Sequence, residues 1–303
     1  MQIVVTGGTG FIGWPLCASL CQEGHRVTLL TRRIEEERSC GSTVTAIEWN
    51  GRTAGDWEHC LDDADAVINL AGAPIADGRW TDARKQLLTE SRVLTTRLLV
   101  AALSRSLSKP RTLVSASGIG YYGTSDDRVL DEDAARGQGF LADLCLAWET
   151  EAVRAVEMGV RVVLLRTGMV LEQDGGALPK MLLPFQFFAG GPIMPGAQWV
   201  SWIHRRDHIG LIQWLLTNPN VSGPVNAVAP EAVTMNRFCE ILGRVLHRPS
   251  WLLVPGFALQ AALGELGTLM STGQRVTPVK ALSGGYGFHY PTLEPALQAI
   301  LAQ

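Results

Sequence analysis

A glycine-rich run near the N-terminus is the residue pattern in this chain best suited to chemistry. It reads Thr6-Gly7-Gly8-Thr9-Gly10-Phe11-Ile12-Gly13 and follows the apolar residues Ile3-Val4-Val5. One glycine permits a tight turn, another lets the backbone approach a pyrophosphate, and Gly13 lets a helix pack closely on the strand. Free N–H groups and the helix dipole favour negative charge there. The run therefore predicts a phosphate-binding loop for a dinucleotide; the alternative is an ordinary glycine-rich turn.

Two arginines follow the second predicted strand, where dinucleotide sites recognise the adenosine ribose. The strand Arg26–Thr31 continues into Arg32 and Arg33, with no carboxylate to bind the 2′-hydroxyl of NAD. A guanidinium can hold a phosphate through two parallel N–H bonds. The pattern favours NADP(H) over NAD as the cofactor; the alternative is a solvated pair of surface arginines.

Strands and helices alternate through the first half of the chain. Further strands are predicted at Val44–Glu48, Ala66–Asn69, Thr112–Ala116 and Val160–Arg166, and helices at Trp14–Glu23, Thr81–Ser104 and Phe140–Glu157. This alternation predicts an α/β fold of the Rossmann type, a doubly wound parallel sheet with helices on both faces. Ligands of such sheets bind beyond the carboxyl ends of the strands. The expected lining is therefore Asn69–Gly72, Ser115–Ser117 and Arg166–Gly168.

The composition of the sequence changes from about residue 171. Glycines and prolines cluster between Gly175 and Gly196, and helices are predicted at Asn236–Leu246, Ala258–Met270 and Leu293–Leu301. We expect an NADP-binding domain over residues 1–170, to which segments around residues 200–230 return. Residues 171–303 are expected to form a smaller α+β lobe on the substrate side, with a C-terminal helical segment from about residue 249.

Composition restricts the classes of protein to which the chain can belong. Hydrophobic residues make up 47% and charged residues 18%, which favours a packed core over disorder. The net charge of −3 and the lack of a basic run argue against nucleic acid as a partner. No apolar stretch predicts a membrane span, and the first strand begins too early for a targeting peptide. We expect a cytoplasmic monomer or homodimer that acts on a small molecule.

The cysteines give no sign of a metal site or a disulfide framework. No CxxC pair and no zinc-ligand spacing occurs among Cys17, Cys21, Cys40, Cys60, Cys145 and Cys239. Scattered cysteines of this kind predict reduced thiols in the core. No metal ligands are assigned.

Several motifs, in order along most of the chain, carry a family resemblance. They are the glycine run, Asn69-Leu70-Ala71-Gly72, Ser117-Gly118-Ile119-Gly120-Tyr121-Tyr122-Gly123, Leu165-Arg166-Thr167-Gly168, Leu183-Pro184-Phe185, Gly190-Gly191-Pro192 and Trp202-Ile203-His204. As a set they resemble the short-chain dehydrogenase/reductase superfamily. Within it the chain is most similar to the atypical "epimerase family protein" group, which is related to NAD(P)-dependent sugar-nucleotide epimerases.

The resemblance implies further contacts with the cofactor. The glycine loop would hold the pyrophosphate, and Thr31 and Arg32 would meet the adenosine ribose and its phosphate. Leu70, Ala71 and Gly72 would lie along the cofactor. Arg92, on the long second helix, matches a cofactor-contacting arginine of the group, and Val170 would pack near the nicotinamide. For Arg92 the alternative is a cation on the helix surface.

The chain departs from the superfamily at the catalytic residues. Typical members use a tyrosine as acid–base group with a lysine four residues later, which lowers the pKa of the tyrosine and holds the nicotinamide ribose. Four residues after the four tyrosines of this chain stand Ser125, Asp126, Tyr290 and Glu294. At the expected place the helix segment Phe140–Cys145 carries apolar residues and one aspartate. The YxxxK pair is therefore absent.

Other groups remain as candidates for proton transfer. The strand-end serine of the superfamily is present as Ser115 or Ser117. Tyr121 or Tyr122 could handle a proton, and so could His204 with Asp207. The alternatives are packing for the tyrosines and a structural, hydrogen-bonded role for His204. Lys180 either touches an anionic substrate or lies on the surface.

These patterns leave three hypotheses about function. The first is an NADP(H)-dependent oxidoreductase or epimerase-like enzyme of unknown substrate, with Ser117, Tyr121 and His204 as candidate catalytic residues. A sugar-nucleotide substrate would need arginines that face the site, and Arg205 and Arg206 form the adjacent pair there. The second is a catalytically inactive NADP(H)-binding sensor or regulatory protein, which the missing Tyr–Lys pair favours. The third is a nucleotide-binding scaffold without redox dependence.

Overall fold

A computed structural model of the chain describes residues 1–34 and 44–302. Cys40 lies outside the described residues. The fourteen strands of the described residues are β1 Gln2–Thr6, β2 Arg26–Thr31, β3 Val44–Glu48, β4 Ala66–Asn69, β5 Thr112–Gly118, β6 Val129–Leu130, β7 Arg161–Thr167, β8 Met169–Glu172, β9 Gly175–Gly176, β10 Trp199–Val200, β11 Trp202–His204, β12 Gly223–Ala227, β13 Val233–Thr234 and β14 Arg275–Val276. The ten α-helices of the same part of the chain are α1 Gly13–Gln22, α2 Asp82–Arg105, α3 Phe140–Val153, α4 Leu178–Gln186, α5 Arg205–Thr217, α6 Met235–Leu246, α7 Gly256–Leu263, α8 Glu265–Met270, α9 Val279–Ser283 and α10 Leu293–Leu301.

Seven parallel strands form the central sheet, in the order β12-β7-β5-β4-β1-β2-β3. The order runs outward in one direction from β1 through β2 and β3, and in the other direction from β4 through β5, β7 and β12. The strand order therefore reverses between β1 and β4, which is where open α/β sheets bind their ligands. The prediction of a Rossmann-like, doubly wound α/β fold is confirmed.

Alternate side chains of the buried strands pack into two apolar layers, one on each face of the sheet. In β1, Ile3 and Val5 face one layer, which also contains Leu16 of α1 and Leu211 of α5. Val4 faces the other layer, formed with Leu99 and Leu103 of α2 and with Val162 and Leu164 of β7. Each fully buried side chain of this kind stabilises the fold by about 1.5–3 kcal/mol. A strand buried on both faces explains why these runs are apolar without alternation.

A third apolar cluster builds the lobe beyond the sheet. Trp202 of β11 is fully buried there with Phe185 of α4, Phe238 of α6 and Leu297 of α10. β8, β9 and β11 form a three-stranded sheet at its edge, while β10 with β13 and β14 with β6 form two short pairs. Within the later half of the chain, α5 and β12 lie against the large sheet instead of this lobe.

Some predicted helices differ from the observed ones. The single helix predicted over Ala258–Met270 is two helices, because Gly264 between α7 and α8 has a φ of +63°. α3 ends at Val153 and continues as a 3₁₀ turn over Arg154–Met158. α4 was not predicted because Pro179 and Pro184 lie within its sequence, and proline disfavours a helix interior.

The described residues show neither cross-links nor membrane spans. None of their helices is long and apolar enough to cross a membrane. No disulfide joins their cysteines, and no group of histidine, cysteine or carboxylate side chains among them is arranged to hold a metal ion.

Candidate functional site

The glycine loop forms a backbone cradle between β1 and α1. Gly7 has a φ of +68°, which L side chains rarely adopt. A Cβ atom at Gly13 would lie 2.3 Å from the carbonyl oxygen of Gly7, and one at Gly7 would lie 2.6 Å from the carbonyl oxygen of Leu70. The turn, the start of α1 and the end of β4 are thus in direct backbone contact. The cradle faces the positive end of α1, so its shape and its charge fit a pyrophosphate.

The end of β2 presents two cations. Thr31 is buried, and its hydroxyl donates a hydrogen bond to the carbonyl oxygen of Arg33 at 2.9 Å, which fixes the turn. Arg32 and Arg33 are exposed, and neither forms an ion pair with any residue that the structure describes. Both arginines thus lie exposed directly after the carboxyl end of β2.

Asn69 ties the ends of three strands together. Its side-chain oxygen accepts a hydrogen bond from the hydroxyl of Thr6 at 2.7 Å. Its amide nitrogen donates to Thr96 of α2 at 2.8 Å and to Ser115 of β5 at 3.3 Å. All four side chains are buried. Ser115 is consequently part of the support beneath the cleft.

Ser117 belongs to a second buried network, centred on an ion pair. Its hydroxyl donates to the Glu149 carboxylate at 2.7 Å, and Arg166 donates to both oxygens of that carboxylate at 2.8 Å. Arg166 also donates to the hydroxyl of Tyr122 at 3.0 Å, which in turn donates to Asn226 at 2.7 Å. The hydroxyl of Tyr122 is thus engaged as both donor and acceptor.

Opposing effects act on the charge of Arg166 in this network. Burial disfavours the charged guanidinium, but the hydrogen bonds and charge of Glu149 outweigh that effect and raise the pKa of Arg166. Burial also raises the pKa of the Tyr122 phenol to about 12. The hydrogen bonds of the Tyr122 hydroxyl and the raised pKa of its phenol both indicate a structural role.

Tyr121 lies on the same guanidinium but keeps its hydroxyl open. The guanidinium carbon of Arg166 is 3.5 Å from the centre of the Tyr121 ring. Tyr121 is partly exposed, and its hydroxyl makes no hydrogen bond with the residues that the structure describes. It follows β5 directly, in the 3₁₀ turn Ile119–Tyr122. Of Ser117, Tyr121, Tyr122 and His204, Tyr121 is thus the one that forms no side-chain hydrogen bond with the described residues.

His204 has the contacts of a structural histidine. It is the N-cap of α5, where its Nδ1 accepts a hydrogen bond from the N–H of Arg206 at 2.9 Å, and its ring stacks on Tyr290 at 4.2 Å. Burial lowers the pKa of His204 to about 4. Asp207, its proposed companion, accepts hydrogen bonds from the N–H groups of His289 and Tyr290. These contacts tie the C-terminal segment to α5 and do not reach Ser117 or Tyr121.

Arg92 is buried, so the alternative of a helix-surface cation is wrong. Only 7% of the residue is exposed. Its terminal nitrogens donate to the carbonyl oxygens of Leu88 at 3.1 Å and Ala73 at 2.8 Å. A Cβ atom at Gly72 would lie 3.0 Å from its guanidinium carbon. Arg92 therefore lies beneath the loop that follows β4, on the predicted cofactor path.

The β8–β9 hairpin closes on the glycine loop. A Cβ atom at Gly175 would lie 2.5 Å from the ring of Phe11. The guanidinium carbon of Arg205 lies over the same ring, 5.1 Å from its centre. Arg205 also pairs with Glu172 and Asp174. Its charge is thus used inside the protein, which weakens the case for a sugar-nucleotide substrate held by Arg205 and Arg206. Val170 lies in β8, paired with Ile203 of β11.

Lys180 lies on the surface, with 61% of its side chain exposed. Its ammonium group donates to the carbonyl oxygen of Ala76 at 3.0 Å, in the loop after β4. The contact joins α4 to that loop.

The sequence analysis missed the buried ion pair of Arg166 and Glu149. Its signal lies in Arg166 and Glu149 themselves, which interrupt otherwise apolar strand and helix patterns. Charged residues at such positions are almost never fully buried unless paired. A search for complementary pairs among them would have linked α3 to β7.

Comparison with known families gives matches over nearly the whole chain. The model of the NAD dependent epimerase/dehydratase family matches residues 3–228, and a domain of unknown function, DUF1731, matches residues 254–300. The chloroplastic epimerase family protein SDR39U1 homolog of Arabidopsis thaliana is 43% identical over 309 residues, covering 99% of this chain and 87% of the relative. Epimerase family protein YfhF of Bacillus subtilis is 42% identical over 303 residues, covering 100% and 98%.

Solved structures agree with these matches. The crystal structure of human epimerase family protein SDR39U1 (isoform 2) with NADPH superposes with a TM-score of 0.88 at 34% identity, covering 100% of this chain and 99% of the other. UDP-glucuronic acid 4-epimerase of Bacillus cereus with UDP-glucuronic acid and NAD superposes with a TM-score of 0.78 at 18% identity, over 99% and 98%. At that identity the second likeness concerns the fold alone.

Proposed function

We propose, since this chain belongs to the NAD dependent epimerase/dehydratase family, that it binds NADP(H) and reduces or oxidises a small carbonyl or alcohol substrate without a Tyr–Lys pair. The cofactor would lie across the reversal point of the strand order. Its pyrophosphate would be held by the glycine loop, and its 2′-phosphate by Arg32 with Arg33. The NADPH bound to the human relative supports the choice of NADP(H).

The open hydroxyl of Tyr121 is the observation that carries the proposed reaction. When bound, the reduced nicotinamide supplies a hydride to a carbonyl carbon. The Tyr121 hydroxyl donates the proton that the carbonyl oxygen then needs, and solvent restores it because the ring is partly exposed. Ser117 already donates its proton to Glu149, so its oxygen can only accept a further hydrogen bond, for example from a substrate hydroxyl.

Arg166 supports the developing phenolate of Tyr121 from the ring face. A guanidinium in this position contributes about 0.5–2 kcal/mol. Because Glu149 compensates most of its charge, the lower part of that range applies. Arg166 thus stabilises the phenolate of Tyr121 less than the lysine of typical members stabilises its tyrosine. We therefore expect slow turnover.

A second function is favoured by a different observation. Ser117, Tyr122 and His204 are all engaged in internal hydrogen bonds. A protein that binds NADP(H) and reports its presence to a partner would have no need of an accessible acid. In that case Tyr121 only packs on Arg166, and the bound cofactor does not turn over.

Two measurements test the proposal. Fluorescence titration should give tighter binding of NADPH than of NADH, and equal affinities would overturn the assignment of NADP(H). A panel of carbonyl compounds and nucleotide sugars should then include at least one that consumes NADPH. Binding of NADPH without turnover of any substrate in a broad panel would replace the enzyme with the sensor.

A further inference from the structure

Arg92 is a buried cation on α2. Its guanidinium forms no ion pair with a residue that the structure describes, and its Nε–H has no hydrogen-bond acceptor there. The nearest aromatic contact is the ring of Trp148, 5.2 Å from the guanidinium carbon. Burial lowers the pKa of Arg92 to about 10. Burying an uncompensated charge costs several kcal/mol, so a fold rarely retains one without a purpose.

The buried carboxylates near Arg92 are committed elsewhere. Glu149 pairs with Arg166, and Glu151 pairs with Arg97 and Arg154. Cys145 lies on the adjoining helix α3, but burial raises the pKa of its thiol to about 11, so it carries no charge at neutral pH. Among the residues that the structure describes, none forms an ion pair with Arg92, and the neighbouring cation Arg84 lowers its pKa further.

The topology places this cation on the nicotinamide side of the cleft. The adenosine end belongs over β2, where Arg32 and Arg33 stand, and the pyrophosphate belongs over the glycine loop between β1 and α1. The remaining half of a dinucleotide must extend over β4 and β5. Gly72 and Ala73, which the guanidinium of Arg92 touches, follow β4 directly.

We propose that Arg92 makes the site selective for the reduced cofactor. The nicotinamide ring is neutral in NADPH and positively charged in NADP⁺, while the rest of the molecule is the same. A buried guanidinium beside that half repels the oxidised ring and leaves the reduced ring unaffected. This inference rests on the proposed binding of NADP(H).

The ratio of the two dissociation constants measures this effect directly. Wild-type protein should bind NADPH more tightly than NADP⁺. Arg92→Met removes the charge but keeps much of the volume, and the preference for NADPH should fall by about tenfold, the scale of one like-charge interaction in a partly polar interior. Arg92→Gln, which keeps donors for the carbonyl of Ala73, should do the same if Arg92→Met folds poorly.

Two controls separate charge from structure. Arg92→Lys keeps the charge and should keep the ratio, although both affinities can fall. Arg105→Met removes an exposed arginine at the far end of the same helix, away from the loop after β4, and should leave the ratio unchanged. Equal affinities of the wild type for NADPH and NADP⁺, or a ratio that Arg92→Met and Arg92→Gln do not change, would overturn the inference while NADP(H) binding stands. Failure of the wild type to bind either form would overturn the proposed function instead.

Discussion

Arg166 and Glu149 form a two-pronged ion pair in which Arg166 is 3% and Glu149 6% exposed. The pair joins β7 to α3. Ser117 donates to Glu149, and Tyr121 and Tyr122 both contact Arg166. Buried ion pairs gain little over an apolar replacement, but the loss of one member leaves a costly unpaired charge.

Glu149→Gln should destabilise the fold by about 3–5 kcal/mol, because Arg166 then lies buried without its carboxylate. Urea unfolding followed by tryptophan fluorescence measures the change. Glu90→Gln, at a half-exposed site on α2, should change the free energy of unfolding by less than about 0.5 kcal/mol. A similar small change for Glu149→Gln would mean that the charge of Arg166 is compensated in another way.

The two neighbouring tyrosines should respond in opposite ways to loss of the hydroxyl. Tyr122→Phe leaves Asn226 and Arg166 each short of a buried partner and should cost about 1–3 kcal/mol of stability. Tyr121→Phe removes a hydroxyl without a described partner and should leave stability unchanged, but it should abolish the proposed turnover. Full activity in Tyr121→Phe would exclude Tyr121 as the proton donor.

Arg32→Glu should weaken NADPH more than NADH, since it places a carboxylate where the 2′-phosphate is expected. Titration of both cofactors into the same preparation gives the ratio of affinities, and we expect NADPH to lose at least tenfold. Arg26→Glu is the matched control, because Arg26 is exposed at the opposite end of β2. A parallel loss for both cofactors would assign Arg32 a general electrostatic role.

Gly13→Ala should prevent formation of the cradle, because its Cβ atom would lie 2.3 Å from the carbonyl oxygen of Gly7. We expect a loss of NADPH binding together with a lower melting temperature. Gly287→Ala has no heavy atom near the new Cβ and should behave like the wild type. Retention of tight NADPH binding in Gly13→Ala would show that the loop can open without cost.

Stability should fall as the pH drops from about 6.5 toward 4, in part through His204. Burial lowers the pKa of His204 to about 4, whereas an unfolded histidine has a pKa of about 6.5. The folded state therefore favours the neutral ring, and its stabilising effect is complete above pH 6.5 and is lost on acidification. At pH 5 the loss from this one residue is about 2 kcal/mol.

His204→Asn isolates that contribution. Asparagine is also a good N-cap acceptor, so the start of α5 should survive. The free energy of unfolding should then depend less on pH between 7 and 5. His59→Asn, whose side chain is 83% exposed in the wild type, should leave the dependence unchanged. An unaltered slope in His204→Asn would mean that the burial of this ring does not control its titration.

Local patterns predicted most of the sheet and the phosphate loop. β2, β3 and β4 have the predicted bounds. β4 is buried at all four positions, and its run of apolar residues records that burial, whereas β3 is an edge strand without a buried residue. The helix α5 escaped prediction, since its first turn, Arg205-Arg206-Asp207-His208, is charged and its apolar face begins only later. Its buried Asp207 and His208 are tolerated through contacts with distant segments.

The chemistry beyond the loop depends on distant pairs that periodicity cannot show. The hydroxyl of Ser117 is engaged by Glu149, which lies on another element. The burial of Arg92 depends on how α2 packs beneath Gly72. Sequence spacing identified each residue as a candidate. It did not distinguish Tyr121 from Tyr122, because only their contacts in the fold differ.

The placement of α5 and β12 determines how this protein can be divided. Both pack in or on the large sheet although they follow the lobe segment 168–204, which is inserted between β7 and α5; the rest of the lobe follows β12, the last strand of that sheet. A fragment that ended near residue 170 would lose β12 and α5, so β7 would become an unpaired edge and the apolar layer would lose its cover by α5. Such an edge invites aggregation. Exchange of the lobe between relatives therefore requires three junctions made together: one after β7, one before α5 and one after β12.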